Sequence, residues 1–149
     1  MMTGLLDRIL LLKRSPIFSE VHTEDLRAVA MELEDEHYFT GDTVFEINHF
    51  GDHMYILQTG KVGISIDNNP KSAKYIATLG PGDCFGEMNL LDDQPRSATA
   101  VVLEDSHILS LQKSRLHGLI IQYPELSLGI LKGLSLRLRT ANLLANNDS

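Results

Sequence analysis

Apolar positions along this 149-residue chain change their period twice. Residues 5–13 hold a leucine-rich run that predicts a short helix. After Thr23-Glu24-Asp25, Leu26, Val29, Ala30 and Leu33 recur at i, i+3, i+4 and i+7, which predicts a second, amphipathic helix. Thr23 is its expected cap, followed by acids in the first turn. From about Tyr38 to Leu111 the signal turns to short apolar or alternating runs separated by Gly, Asp, Asn and Pro. Six strands are read there, over residues 44–47, 54–57, 62–66, 75–79, 98–103 and 107–111. Breaks fall at Gly41-Asp42, Gly51-Asp52, Thr59-Gly60, Asp67-Asn68-Asn69-Pro70 and Gly80-Pro81-Gly82-Asp83. Many short strands with such turns argue for a closed or rolled antiparallel sheet.

Past Leu111 the helical period returns. Leu116, Leu119, Ile120 and Tyr123 share one face, and Pro124 both ends that helix and opens the next. The last segment, Glu125 to about Ala145, is long and leucine-rich. Winding it as a helix puts Leu126, Ile130, Leu131, Leu134, Leu138, Ala141, Leu144 and Ala145 on one arc, with Arg137 inside it. A guanidinium on an apolar face needs a partner. Leu128, Leu136 and Leu143 form a second apolar strip opposite, Gly129 and Gly133 form a small-residue strip that hints at close packing, and Asn146 to Ser149 read as a loose tail.

Charge narrows the classes of partner. Thirteen Lys and Arg against twenty Asp and Glu give a net charge of −7, unfavourable for a general nucleic-acid or anionic-membrane binder. The deficit is local. Residues 28–60 contain no Lys or Arg but carry Glu32, Glu34, Asp35, Glu36, Asp42, Glu46 and Asp52, a run expected to be a solvated face. In the C-terminal helices Lys113, Arg115, Lys132, Arg137 and Arg139 outnumber Glu125, so a small anion remains an admissible ligand. Cys84 is the single cysteine, which excludes a disulfide within one chain and points to a reducing compartment. The N-terminus has no basic leader before its apolar run, and no run approaches a membrane span, so a cytoplasmic protein is expected.

Candidate chemistry concentrates in residues 85–99, Phe-Gly-Glu-Met-Asn-Leu-Leu-Asp-Asp-Gln-Pro-Arg-Ser-Ala-Thr. This stretch follows a Gly-Pro-Gly turn, opens a short helical turn at Gly86-Glu87 and returns through Pro95 into a strand headed by Arg96-Ser97. Gly86 lets a ligand approach the main chain, and amides at the start of a helical turn attract anions. Arg96 offers a bidentate grip on phosphate oxygens, and Ser97 adds a hydroxyl and an amide. Glu87, acceptor-only when ionised, suits a sugar hydroxyl. These groups describe a pocket for one phosphate and one ribose.

The stretch resembles the phosphate-binding cassette of the cyclic nucleotide-binding domain, with Phe85-Gly86-Glu87, Leu90 and Pro95-Arg96-Ser97-Ala98-Thr99 in the family's order. Gly41-Asp42, Gly51-Asp52, Met54-Tyr55-Ile56-Leu57, Thr59-Gly60 and Gly80-Pro81-Gly82-Asp83 extend the likeness over about residues 16–144. The resemblance implies a mainly β protein with flanking helices (α+β), an eight-stranded antiparallel β-roll of the double-stranded β-helix or jelly-roll type. One domain over residues 1–149 is expected, with the roll at about 38–111 and C-terminal helices at about 113–145. It implies that Glu87 accepts from the ribose 2′-hydroxyl, that Arg96 neutralises the cyclic phosphate, and that Gly86 and amides near Met88, Asn89 and Ser97 complete the cradle. The C-terminal helix would close over the base, with Arg137 either part of that lid or paired with an acid on the roll. Asn89 departs from the pattern, standing where a small residue usually offers its amide.

The expected function is a cyclic nucleotide sensor for cAMP, with cGMP the other candidate, and no further cofactor. A β-roll interaction module that no longer responds to cyclic nucleotides is the alternative. No nucleophile with its base, metal triad or paired catalytic carboxylates occurs at suitable spacing, so no enzyme is expected. His49 and His53 beside Asp52 lack the spacing of a cupin-like metal site. The fifty residues after Thr99 are taken up by one strand and two helices, so no direct nucleic-acid contact is expected. Output would pass through a protein partner or a homodimer by way of the C-terminal helix.

Overall fold

A computed structural model describes residues 4–67 and 74–147. The chain divides into two compact units, a helical one drawn from the residues up to 32 and from 117 onward, and a strand-rich one, Leu33–Leu116.

The helical unit contains α1 (Leu5–Lys13), α2 (Thr23–Met31), most of α3 (Lys113–Gln122) and α4 (Glu125–Asn147). The capping residue of α2 is His22, in extended conformation and without a side-chain cap bond, and Thr23 is already helical. Leu26 N donates to His22 O at 3.0 Å, so the first turn closes one residue earlier than the Thr23 motif indicates. Ile9, Leu12, Ile17, Phe18, Val21, Leu26 and Val29 are buried, together with Leu126 and Ile130 of α4.

The buried face of α4 is narrower than the leucine arc. Leu126, Gly129, Ile130 and Gly133 are buried, whereas every side chain from Ser135 to Ala145 is exposed. Leu131, Leu138 and Leu144 of the arc therefore face solvent, as do Leu128, Leu136 and Leu143. The glycines set that face, because a Cβ on Gly129 would lie 2.8 Å from Val21 Cα and one on Gly133 would lie 2.6 Å from Pro16 O. Close backbone approach replaces leucine packing there. Arg137 stands on the exposed part of the helix. α4 continues through Asn147, so Asn146 and Asn147 are helical and not tail. Asp148 and Ser149 lie outside the described residues.

The strand unit is an antiparallel roll. Its strands are β1 (Glu34–Tyr38), β2 (Thr43–Phe45), β3 (His53–Ser65), β4 (Ala77–Leu79), β5 (Cys84–Phe85) and β6 (Thr99–Gln112). β3 and β6 pair along most of their length. β1 and β2 pair with opposite ends of β6, and β4 and β5 pair with opposite ends of β3. Among the described residues the roll has six strands, some of them long, because runs read as separate strands are continuous. Of the runs read at 54–57 and 62–66, all but Ile66 belong to β3, and of those at 98–103 and 107–111, all but Ala98 belong to β6, each pair joined across a bulge instead of a break. At the bulge Gly60 has φ +104, Lys61 N donates to Ser106 Oγ at 3.2 Å, and Ser106 Oγ donates to Glu104 O at 2.7 Å. The bend keeps the ladder satisfied while it turns.

β1 begins four residues before the expected start of the roll. Its residues are Glu-Asp-Glu-His-Tyr, and pairing with Ser106–Ser110 of β6 makes them a strand. The acidic run is thus largely an edge strand and its turns, with Glu34, Asp35, Asp42, Glu46 and Asp52 exposed and Glu32 and Glu36 half-buried. β4 is shorter than expected. Ile76 N still donates to Ile64 O at 2.8 Å, and Tyr75 packs its ring over Gly63. Of the turn read at Asp67-Asn68-Asn69-Pro70, all but Asp67 lies outside the described residues, as do Met1–Thr3.

One face of the roll buries Tyr55, Leu57, Val62, Phe85, Ala100, Val102 and Ile108, with Phe45, Ile64 and Leu79 packed against them. Pairing of Tyr55 with Phe85 and Ile56 with Cys84 ties the start of the cassette to β3.

Candidate functional site

After β5 the chain turns at Gly86, whose φ of +74 places it in the left-handed region open to glycine, and a 3-10 turn runs over Glu87–Leu90. The return arm is pinned at Arg96. Its N donates to His49 O at 2.7 Å and its O accepts from Asn48 N at 2.8 Å, while Ile47 N donates to Thr99 Oγ1 at 2.9 Å. Turn and arm enclose a cleft of about 230 Å³ whose polar walls are Gly86, Glu87, Asn89, Arg96 and Ser97. Ile64, Leu79 and Phe85 supply an apolar wall, and half-buried Cys84 lies beside them.

Arg96 is 3% exposed. Its guanidinium carbon lies 4.1 Å from the centroid of the Phe45 ring, an attraction between cation and ring face. Nη2 donates to His53 O at 2.8 Å, and Nη1 donates to Gly86 O at 3.3 Å and to Asn89 Oδ1 at 3.1 Å. Every acceptor is a neutral oxygen, and Nε is buried without a partner among the described residues. Burial pushes this guanidinium below the usual arginine value, opposed by Tyr55 and Asp52. Asp52 itself accepts from or pairs with His53 Nδ1 at 2.8 Å. A buried cation with an unspent donor and no carboxylate partner is a site poised for an anion.

Glycine makes the slot possible. A Cβ on Gly51 would collide with Arg96 Nε, and one on Gly86 would stand 2.6 Å from Nη1. Ser97 is exposed, and neither its amide nor its hydroxyl is bonded to another described residue, so two donors stand at the rim. Glu87 is half-buried on the same cleft.

Five of the seven residues expected to contact ligand therefore line one cleft: Gly86, Glu87, Asn89, Arg96 and Ser97. Met88 is 43% exposed on the outer side of the 3-10 turn and is not part of the wall, though its backbone belongs to that turn. Arg137 belongs to the helical unit, where it lines a groove of about 410 Å³ with Pro16, Ser19, Gly133 and Thr140. The Asn89 amide donates to Gly86 O at 3.3 Å, and its side chain turns toward Arg96 instead of toward a ribose. Sequence reasoning missed Gly51 and Phe45 as parts of the arginine slot. Gly51 was legible only as a strand break. His49 pairs with Glu46 at 3.4 Å and His53 with Asp52, both as local surface contacts.

A model of the cyclic nucleotide-binding domain matches residues 35–123, which include both arms of this cleft. The chain belongs to that family. It is 31% identical over 132 residues to a CRP-like cAMP-activated global transcriptional regulator of Mycobacterium tuberculosis, covering 89% of this chain and 59% of that protein. It is 33% identical over 132 residues to the cyclic AMP receptor protein of Thermus thermophilus, covering 89% and 61%. The N-terminal domain of a transcriptional regulator from Streptomyces coelicolor superposes with a TM-score of 0.80 at 28% identity, covering 91% of this chain and 94% of that one. The chain spans about three fifths of the length of the curated relatives it matches. Among its described residues no helix is long and apolar enough to cross a membrane.

Proposed function

We propose that the chain is a cytoplasmic cyclic nucleotide sensor, with cAMP the favoured ligand and cGMP the second candidate, and that it binds without catalysing a reaction. The observation that carries this reading is Arg96, a buried cation held by three neutral oxygens with Nε unspent, at the floor of a cleft that also presents Glu87 and Ser97. A cyclic phosphate supplies the missing negative charge. The interaction is strong because Arg96 is buried, where a charge-assisted hydrogen bond gains over its value in water.

In this reading the phosphate sits between Arg96 and the Ser97 donors, and Glu87 accepts from the ribose 2′-hydroxyl. Ile64 and Leu79 face the sugar, and the base projects from a cleft of this size. The names of the curated relatives, a cAMP-activated regulator and a cyclic AMP receptor protein, support cAMP. Output would pass through α4, Arg137 included, to a protein partner or a second copy. Its exposed Leu128, Leu131, Leu136, Leu138, Leu143 and Leu144 support that role, since solvated leucines in such number mark a contact surface.

Isothermal titration with cAMP and cGMP tests the proposal. Saturable heat with either supports it, and no heat or thermal shift with both at millimolar ligand contradicts it. The second reading, an interaction module that ignores cyclic nucleotides, draws support from Asn89, which already engages the guanidinium.

A further inference from the structure

Arg96 carries five N–H donors. Two of its three acceptors, Gly86 O and His53 O, are backbone atoms that any side chains would leave in place. The third, Asn89 Oδ1 at 3.1 Å, depends on the residue chosen at position 89, and Asn89 is 8% exposed. Its amide has a fixed sense. Nδ2 donates to Gln94 O at 2.7 Å, so a flip would set donor against guanidinium and oxygen against carbonyl. One side chain thereby ties the 3-10 turn to the return arm at Gln94 and Arg96, in the wall of the cleft that holds the guanidinium.

We propose that Asn89 is an internal competitor for the phosphate, its side-chain oxygen holding Arg96 in the empty cleft and setting the ligand concentration at which the site fills. The proposal rests on the reading that the cleft takes a cyclic nucleotide, and adds to it a threshold device built into the cassette. A phosphate uses two donors of the guanidinium fork, including the unspent Nε, and to reach them the group turns in its slot and releases Asn89. A neutral acceptor loses to the monoanionic cyclic phosphate, so the clamp weakens binding without abolishing it. A hydrogen bond to a charged donor corresponds to roughly ten- to a hundredfold in an equilibrium ratio, and the released amide regains water. Removing the competitor should therefore tighten binding by about three- to thirtyfold.

The test is titration of wild type, Asn89→Ala, Asn89→Ser and Asn89→Asp with cAMP and cGMP, with thermal melting to verify the fold of each. Asn89→Ala and Asn89→Ser should bind more tightly than wild type. Asn89→Asp, whose carboxylate pairs with Arg96 and repels phosphate, should bind at least about tenfold more weakly. Alanine and serine variants that bind as wild type or more weakly overturn the competitor role while leaving the sensor reading intact. Silence from all four proteins overturns the sensor reading and the competitor role with it. A readout without ligand is the side-chain ¹⁵N–¹H signal of Arg96, which should shift between wild type and Asn89→Ala. Identical signals overturn the clamp whatever the ligand.

Discussion

Gly51 lies against the Arg96 guanidinium so closely that a methyl group there would collide with Nε, and would come within 2.7 Å of Cζ. A turn glycine thus defines where the cationic end of a side chain forty-five positions later can rest.

Gly51→Ala should displace Arg96 and break its bond to His53 O. The expected cost is about 1–3 kcal/mol of stability, the range for overpacking a filled site, with ligand affinity falling at least about tenfold. Urea unfolding and titration with cAMP measure both. Unchanged affinity would show that the guanidinium does not need this slot.

Arg96→Lys keeps the charge but loses the planar fork and the stack on Phe45. Affinity should fall at least about tenfold, and Arg96→Ala should lower it by roughly thirty- to five-thousandfold, the range for truncating one partner of a buried charged pair. Truncation to Ala also leaves His53 O, Gly86 O and Asn89 Oδ1 without their donor, so some loss of stability accompanies loss of binding. The Lys variant separates the two effects. Wild-type affinity in it would contradict the bidentate grip.

The β3–β6 bulge gives a third expectation. A Cβ on Gly60 would overlap Ser106 Oγ and lie 2.6 Å from Asp105 O, at a φ of +104 that disfavours any other residue. Gly60→Ala should cost about 2–4 kcal/mol, combining backbone strain with overpacking. A shift of the urea midpoint smaller than that of an exposed Ala substitution would show that the bend tolerates relaxation.

Glycines in the helices should divide by sign. Gly118 in α3 has open space where a Cβ would stand, so Gly118→Ala should stabilise by about 0.5–1 kcal/mol through helix propensity. Gly129→Ala and Gly133→Ala should destabilise by about 1–3 kcal/mol despite the same propensity gain, because Val21 and Pro16 occupy the space. Thermal melts of the three variants check the contrast. Stabilisation by all three would mean that the α4 contact yields easily.

Asp105 accepts from Thr40 N at 2.8 Å and from Thr40 Oγ1 at 3.0 Å, and these bonds hold its carboxyl below the usual value of 3.8. With the folded value below the unfolded one, the ionised group stabilises the fold above about pH 4, and that contribution disappears as pH falls through the depressed folded value. The gap in urea midpoint between wild type and Asp105→Asn should therefore narrow between pH 7 and pH 2. A gap independent of pH would contradict the assignment.

The cassette was legible because its sequence signal is local. Gly86, Pro95 and the charged Glu87 and Arg96 sit within a few residues of the turn they shape, so their residue types and spacing mark the site even though the slot that holds Arg96 is built by Phe45, Gly51 and His53 far away in sequence. β1 was not legible, since Glu34-Asp35-Glu36 carries no alternation and becomes a strand only by pairing with Ser106–Ser110. The buried face of α4 was misread for a related reason. Leucine periodicity marks where apolar side chains point, but Gly129 and Gly133 set the contact by letting backbones meet, and they carry no hydrophobic signal. Asn89 was recognised as a departure, yet its direction follows from Arg96 and Gln94 across the turn, a relationship that spacing does not convey.

The most direct test of the account is the ¹H–¹⁵N spectrum of the protein titrated with cAMP. The account predicts saturating shifts at the amides of Gly86–Asn89 and Arg96–Ser97 and at the Arg96 side chain. No shifts at millimolar cAMP and cGMP, or shifts confined to residues outside this cleft, would contradict it.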